Sequence, residues 1–176
     1  MVSHKDKVVF IHINRTGGVS VETAFNKPLM DHKRPVDIIK IIGKEKWDDY
    51  FKFSFVRNPW DRLVSVYFNR KKWGVTANFN NWLKSVSKSD WLVQLDWISD
   101  DNQIIVDYVG RFETLSNSFI EVCNKIGTRI SLPHLNRTHH LHYSHYYNSD
   151  SVNMVEHLCK KDIDAFGYKF IRILYL

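Results

Sequence analysis

The sequence predicts an α/β fold, a three-layer arrangement in which a parallel sheet is flanked by helices on both faces. Three observations predict it. Two short runs, KVVFIHI at residues 7–13 and KFSFV at 52–56, are apolar enough to be strands covered on both faces. Each run is followed closely by a helix-starting signal. Strand and helix patterns then alternate along the chain, the order from which parallel sheets are built.

Taken in order, Lys7–Ile13 reads as the first strand, with a helix opening near Ser20. Lys52–Val56 reads as the second. Asn58-Pro59 after it supplies an N-cap and a first helical residue whose missing N–H costs nothing there. That helix is predicted to reach about Trp73. Trp60, Leu63, Val64 and Tyr67 form its apolar stripe, with Asp61, Arg62, Ser65 and Asn69 off it. Asn78–Val86 is a further helix, Ile104–Phe112 a strand, and Leu115–Ile126 a helix stopped by Gly127. Ser151–Lys161 is the last, with Val152, Val155 and Cys159 facing inward.

The 176 residues suit one domain, 1–176, with a core of useful size. Met1–Lys7 is polar and the apolar runs are short, so neither a leader nor a membrane span is expected. Cys123 and Cys159 are too few for a disulfide framework and read as thiols in a reducing, cytoplasmic setting. The net charge of +6 is uneven: residues 1–90 hold 17 Lys/Arg against 9 Asp/Glu, and residues 91–176 hold 8 against 10. A basic first half fits an anionic ligand, although a solvated basic surface would look the same.

Two stretches bear on that ligand. In FIHINRTGGVSVE, residues 10–22, a strand turns through Thr16-Gly17-Gly18 into a helix. Such a turn offers main-chain N–H groups to an anion, with hydroxyls from Thr16 and Ser20 to add. The GxxxxGK[ST] pattern of a nucleotide triphosphate loop is absent. In FSFVRNPWDRLVSVYF, residues 53–68, Arg57 ends a strand and Ser65 lies two turns into the next helix. A guanidinium and a hydroxyl so spaced can grip a second, separate phosphate. Arg62 reads as a surface salt-bridge residue.

Together these stretches resemble the sulfotransferases that use 3′-phosphoadenosine-5′-phosphosulfate (PAPS), and most closely the carbohydrate-modifying family 2 group. VGRFETL at 109–115, LPHLNRT at 132–138, Tyr146-Tyr147 and DIDAFGY at 162–168 extend the similarity across roughly residues 8–170. The resemblance implies the P-loop-like sulfotransferase architecture, PAPS as donor, no metal, and an acceptor hydroxyl or amine, with carbohydrate favoured. It implies that Arg15, Thr16, Gly17, Gly18, Val19 and Ser20 hold the 5′-phosphosulfate. Arg57 with Ser65 would take the 3′-phosphate, and Asn136, Arg137 and Thr138 would form a loop closing near the nucleotide. The family usually has Pro-Lys-Thr-Gly-Gly-Thr-Ser where this chain has Asn14-Arg15-Thr16-Gly17-Gly18-Val19-Ser20. Arg15 keeps the cation that steadies the leaving phosphate, while Val19 loses a hydroxyl.

For the base, His32 lies between the two phosphate motifs, where relatives place a histidine beside the acceptor. His12, inside the first strand, reads as a packed and hydrogen-bonded histidine, and Glu22 and Glu113 as helix-surface or supporting residues. His134, His139, His140, His142 and His145 form a histidine-rich segment. It lacks the cysteines and carboxylates of a zinc site and is better read as a loop lining the acceptor cleft, and better still as a plain surface loop. Trp91, Trp97 and Tyr108 default to packing. Two other functions compete: a P-loop-like kinase, which the missing GK[ST] opposes, and a non-catalytic module for a sulfated glycan or nucleic acid. Arg57 paired with Ser65 suits a compact phosphate better than a polymer, so neither nucleic acid nor membrane is expected as partner. The chain is short for such an enzyme, which leaves room for a homo-oligomeric copy completing the cleft.

Overall fold

Alternating strand and helix signals do become a mixed α/β structure. The computed structural model describes residues 1–28, 32–135 and 140–173. Its elements run β1 (Val2–Ser3), β2 (Val8–Ile11), α1 (Gly18–Ala24), α2 (Pro35–Ile42), α3 (Lys44–Asp49) and β3 (Phe51–Val56). Then come α4 (Pro59–Lys71), α5 (Phe79–Val86), β4 (Ser99–Asp100), β5 (Gln103–Ile104), β6 (Tyr108–Arg111), α6 (Leu115–Lys125), α7 (Ser149–Leu158) and α8 (Lys160–Phe166). The chain forms two compact units, Met1–Val56 with Asp96–Arg137 and Arg57–Leu95 with Thr138–Leu176.

The first unit holds a four-stranded sheet in the order β1-β2-β3-β6. β2, β3 and β6 are parallel, with Phe10 opposite Phe53 and Phe53 opposite Tyr108. The sheet is mixed rather than wholly parallel, because β1 pairs antiparallel with β2. Only four residues join them, far too few for the crossover that parallel strands need. One face carries Val8, Phe10, Phe53 and Phe55 against Val21 and Phe25 at α1 and Phe119, Val122 and Cys123 of α6. Val9, Ile11, Ser54 and Val56 on the other face are buried too, which is why these strands read as unbroken apolar runs. The expected strand 104–112 is divided. Only Tyr108–Arg111 joins the main sheet, while Gln103–Ile104 folds back on Ser99–Asp100. Asp101 and Asn102 make that two-residue turn, both with the positive φ such hairpins require.

The second unit is helical. Asn58 caps α4 by accepting from the N–H groups of Trp60 and Asp61, with Pro59 at the first helical position. Trp60, Leu63, Val64 and Tyr67 are buried as their spacing predicts. Arg62 departs from expectation: it is the largest fully buried side chain among the described residues, not a surface salt-bridge residue. Its guanidinium donates to the carbonyls of Leu92 and Trp91, each at 2.7 Å, which offsets the cost of burying the charge. The last predicted helix is two, broken at Cys159, and starts two residues early because Asn148 and Ser151 form a capping box. Val155 and Cys159 are buried and Val152 is half-buried. No helix among the described residues is long and apolar enough to cross a membrane.

Candidate functional site

Ile13 leaves β2 into a turn at residues 14–17 that is shaped by its backbone. Arg15 sits at φ +66° and Gly17 at φ +90°. A left-handed conformation is ordinary for glycine, but for an arginine it is uncommon and concentrates at functional sites. The Thr16 hydroxyl points inward and donates to Ile13 O at 2.8 Å, so it braces the turn instead of offering its proton to an anion. The glycines also serve packing. A Cβ on Gly17 would lie 2.5 Å from Leu115 Cδ2, and one on Gly18 would overlap the His12 ring. Ser20 is buried and its Oγ accepts the Leu135 N–H at 3.2 Å, leaving its own proton to donate. That bond ties the residue preceding Asn136 to the turn. Asn136, Arg137 and Thr138 themselves lie outside the described residues. Val19 is half-buried, and α1 is only seven residues long, so what this turn can offer an anion is main-chain N–H groups rather than a long helix dipole.

His12 is packed, as its place in the strand predicts, at 3% exposed; its Nδ1 lies 3.1 Å from Glu22 Oε1, an ion-pair distance without hydrogen-bond alignment. Of the two roles expected for Glu22, helix-surface and supporting, the first is excluded, because it is fully buried beside that ring. Burial holds His12 below the ordinary imidazole range, with Glu22 pulling upward and His32 adding a smaller downward push. His32 is exposed, and its Nδ1 lies 2.9 Å from His12 O. A carbonyl only accepts, so Nδ1 carries the proton and Nε2 of the neutral ring keeps the lone pair. The two imidazoles are 4.3 Å apart between centroids, and Trp97 stands edge-on to His32 at 6.5 Å. Trp97 is buried under the Arg34 guanidinium, 4.0 Å above its ring. Its indole N–H finds no acceptor among the described residues.

In the second unit, Arg57 is 6% exposed and its Nε donates to Asp61 Oδ2 at 2.8 Å. Asp61 and Ser65 are four residues apart on α4, so they neighbour each other on one face. The Asp61 bond therefore brings the Arg57 guanidinium to the stripe that carries Ser65, which is fully buried. Sequence reasoning missed Gln94, which bonds both main-chain groups of Arg57, and Asp162, which accepts from Gln94. Glu113 is exposed and lies in a 3-10 turn after β6. In the histidine-rich segment, His140 Nδ1 donates to Leu141 O, and His142 Nδ1 accepts from Ser144 N as a cap. His139 falls outside the described residues. Among those described, no three His, Cys, Asp or Glu side chains gather as a metal centre would need.

Comparison with known proteins bears on the family alone. A family model described as Sulfotransferase family matches residues 1–169. An uncharacterized protein of Archaeoglobus fulgidus is 34% identical over 92 residues, covering 49% of this chain and 75% of that protein. No solved structure matches the chain.

Proposed function

The chain belongs to the sulfotransferase family, and on that premise we propose that it transfers a sulfuryl group from PAPS to a hydroxyl or amine of an acceptor, a carbohydrate by family analogy. The proposal includes the P-loop-like three-layer architecture over a single domain, 1–176. The observation that supports it most is the coupling of the base to the turn. His32 is hydrogen-bonded to His12 O, and the His12 ring packs against Gly18 of the same turn. A general base beside an anion-binding turn is what in-line sulfuryl transfer needs.

The residues present fit the donor. The turn offers main-chain N–H groups, a cation and the Ser20 hydroxyl, and Arg57 sits buried on the Ser65 stripe as a separate anion grip. When bound, PAPS supplies the sulfuryl group and, in its 5′-phosphate, a leaving group that needs no metal. Arg15 holds the negative charge that grows on the bridging oxygen as the sulfur–oxygen bond breaks. His32 Nε2 takes the acceptor's proton as the new bond to sulfur forms. Arg57 and Ser65 hold the 3′-phosphate and so align the donor.

The test is thermal stabilisation by adenosine 3′,5′-bisphosphate, compared with ATP–Mg²⁺ and with heparin. The expected result is a shift with the bisphosphate that Arg57→Ala abolishes. A shift with ATP–Mg²⁺ alone would favour a kinase, and one with heparin alone a polymer-binding module.

A further inference from the structure

Arg57 carries the proposed 3′-phosphate grip, and several hydrogen bonds fix its position. Its side chain is tethered to Asp61. Its main chain has two more, both from one buried side chain. Gln94 Oε1 accepts the Arg57 N–H at 2.9 Å, and Gln94 Nε2 donates to Arg57 O at 2.8 Å. The amide thus completes both main-chain groups of the residue, as a neighbouring strand would. Gln94 is in turn held by Asp162, the buried carboxylate of α8. Asp162 Oδ2 accepts from Gln94 N at 2.9 Å and Gln94 Nε2 at 3.1 Å, and Oδ1 accepts from Leu95 N at 2.8 Å. Arg62 secures the same segment two residues earlier, through the carbonyls of Trp91 and Leu92. Gln94, Asp162 and Arg62 are all fully buried, and five of the seven bonds just named reach across 37 residues or more.

We infer that Gln94, anchored by Asp162, is a positioning clamp for Arg57, and that its purpose is recognition of the donor's 3′-phosphate. The inference rests on the proposed PAPS reading. A network of this kind, made only to hold a loop, would need no amide matched to both main-chain groups of the one arginine. The clamp fixes where the guanidinium starts from, and a bidentate phosphate contact tolerates little displacement of that origin.

The test compares two probes, adenosine 3′,5′-bisphosphate and adenosine 5′-monophosphate, which differ only in the 3′-phosphate. Wild type is expected to bind the bisphosphate at least about tenfold more tightly. In Gln94→Met, which keeps the side-chain bulk and leaves Asp162 its two main-chain donors, that ratio is expected to fall to about threefold or less, with monophosphate affinity little changed. Asp162→Asn should lower the ratio as well. If the ratio stays at its wild-type value in Gln94→Met, or both probes weaken in proportion, the clamp has no 3′-phosphate role. If wild type itself fails to separate the probes, the donor reading fails instead. Amide hydrogen exchange gives a second measurement that needs no ligand. The Arg57 N–H should be strongly protected in wild type, and rapid exchange there overturns the clamp even if no variant folds.

Discussion

The turn around Arg15 and the entry to α4 at Arg57 each present one arginine just after a sheet strand, yet they are built by opposite means. Arg15 is half-buried and sits on a left-handed main chain at φ +66°, just before Gly17 and Gly18, which admit the Leu115 and His12 side chains. Arg57 is almost fully buried, tethered by Asp61 at its side chain and by Gln94 at its main chain. The contrast matches the two different tasks proposed for them. A group that meets charge only during reaction gains from a strained, pre-set backbone, whereas one that holds a permanent phosphate gains from redundant side-chain bonds.

The sharpest way to separate these tasks is to remove one catalytic group at a time. His32→Ala is expected to lower kcat by roughly 10²–10⁴-fold while bisphosphate binding stays close to wild type. A steady-state assay at saturating donor checks it, and unchanged turnover would show that His32 is not the base. Arg15→Ala should lower kcat by about 10²–10³-fold, more than it weakens bisphosphate binding, and Arg15→Lys should recover most of the loss. Arg57→Ala should invert that pattern, with binding lost first. If Arg15→Ala and Arg57→Ala lose binding and turnover in the same proportion, the division of labour between the two regions is wrong.

How far the sequence announced these regions depends on the reach of their bonds. The turn, the Asn58-Pro59 cap and the α4 stripe were legible because their determinants lie within a few residues of one another. His32 was legible only through resemblance, since no local pattern distinguishes it from an exposed loop histidine. Gln94 and Asp162 were invisible because their partners lie 37 and 68 residues away. Arg62 was misread as a surface residue, and Glu22 left between surface and supporting roles, for the same reason. A charged residue off the apolar stripe looks solvated until distant carbonyls or a buried imidazole supply its partner. Asp101-Asn102 escaped notice because it lacks the glycine that usually marks a two-residue hairpin.

A smaller effect tests whether the turn's glycines serve packing. Gly18→Ala would drive a methyl group into the buried His12 ring, which Glu22 holds from its other side. The expected loss is about 1–3 kcal/mol in denaturant unfolding, the usual cost of overpacking a filled site. It should be accompanied by reduced kcat, because His12 O carries His32. Wild-type stability in Gly18→Ala would mean that His12 can move aside.

The smallest expected effect is a pair of opposite pH slopes, one from each unit. Burial lowers His12 below its ordinary 6.5, so between its folded value and 6.5 the unfolded chain binds more protons than the folded one. Its stabilisation is complete above 6.5 and is lost as pH falls through that window. Asp162 behaves in reverse. Burial lifts its carboxyl above the ordinary 3.8 despite the main-chain donors and Arg62, so the folded state holds the proton longer, and stability is lost as pH rises from 3.8 toward the folded value. Each slope is limited to about 1.4 kcal/mol per pH unit for a single group. The neighbours do not mask them. Cys159, beside Asp162, is pushed up to about 12 and stays neutral throughout, while Glu22 and His32 both enter the His12 balance. Denaturant unfolding across pH would compare wild type with His12→Gln and with Asp162→Asn. Relative to the first, wild type should lose stability on acidification below 6.5, and relative to the second, on raising pH above 3.8. A difference that stays flat with pH in either pair would mean that burial is not what sets that group's protonation. The turn and the clamp would then differ only in geometry, without the electrostatic opposition that their buried His12 and Asp162 impose.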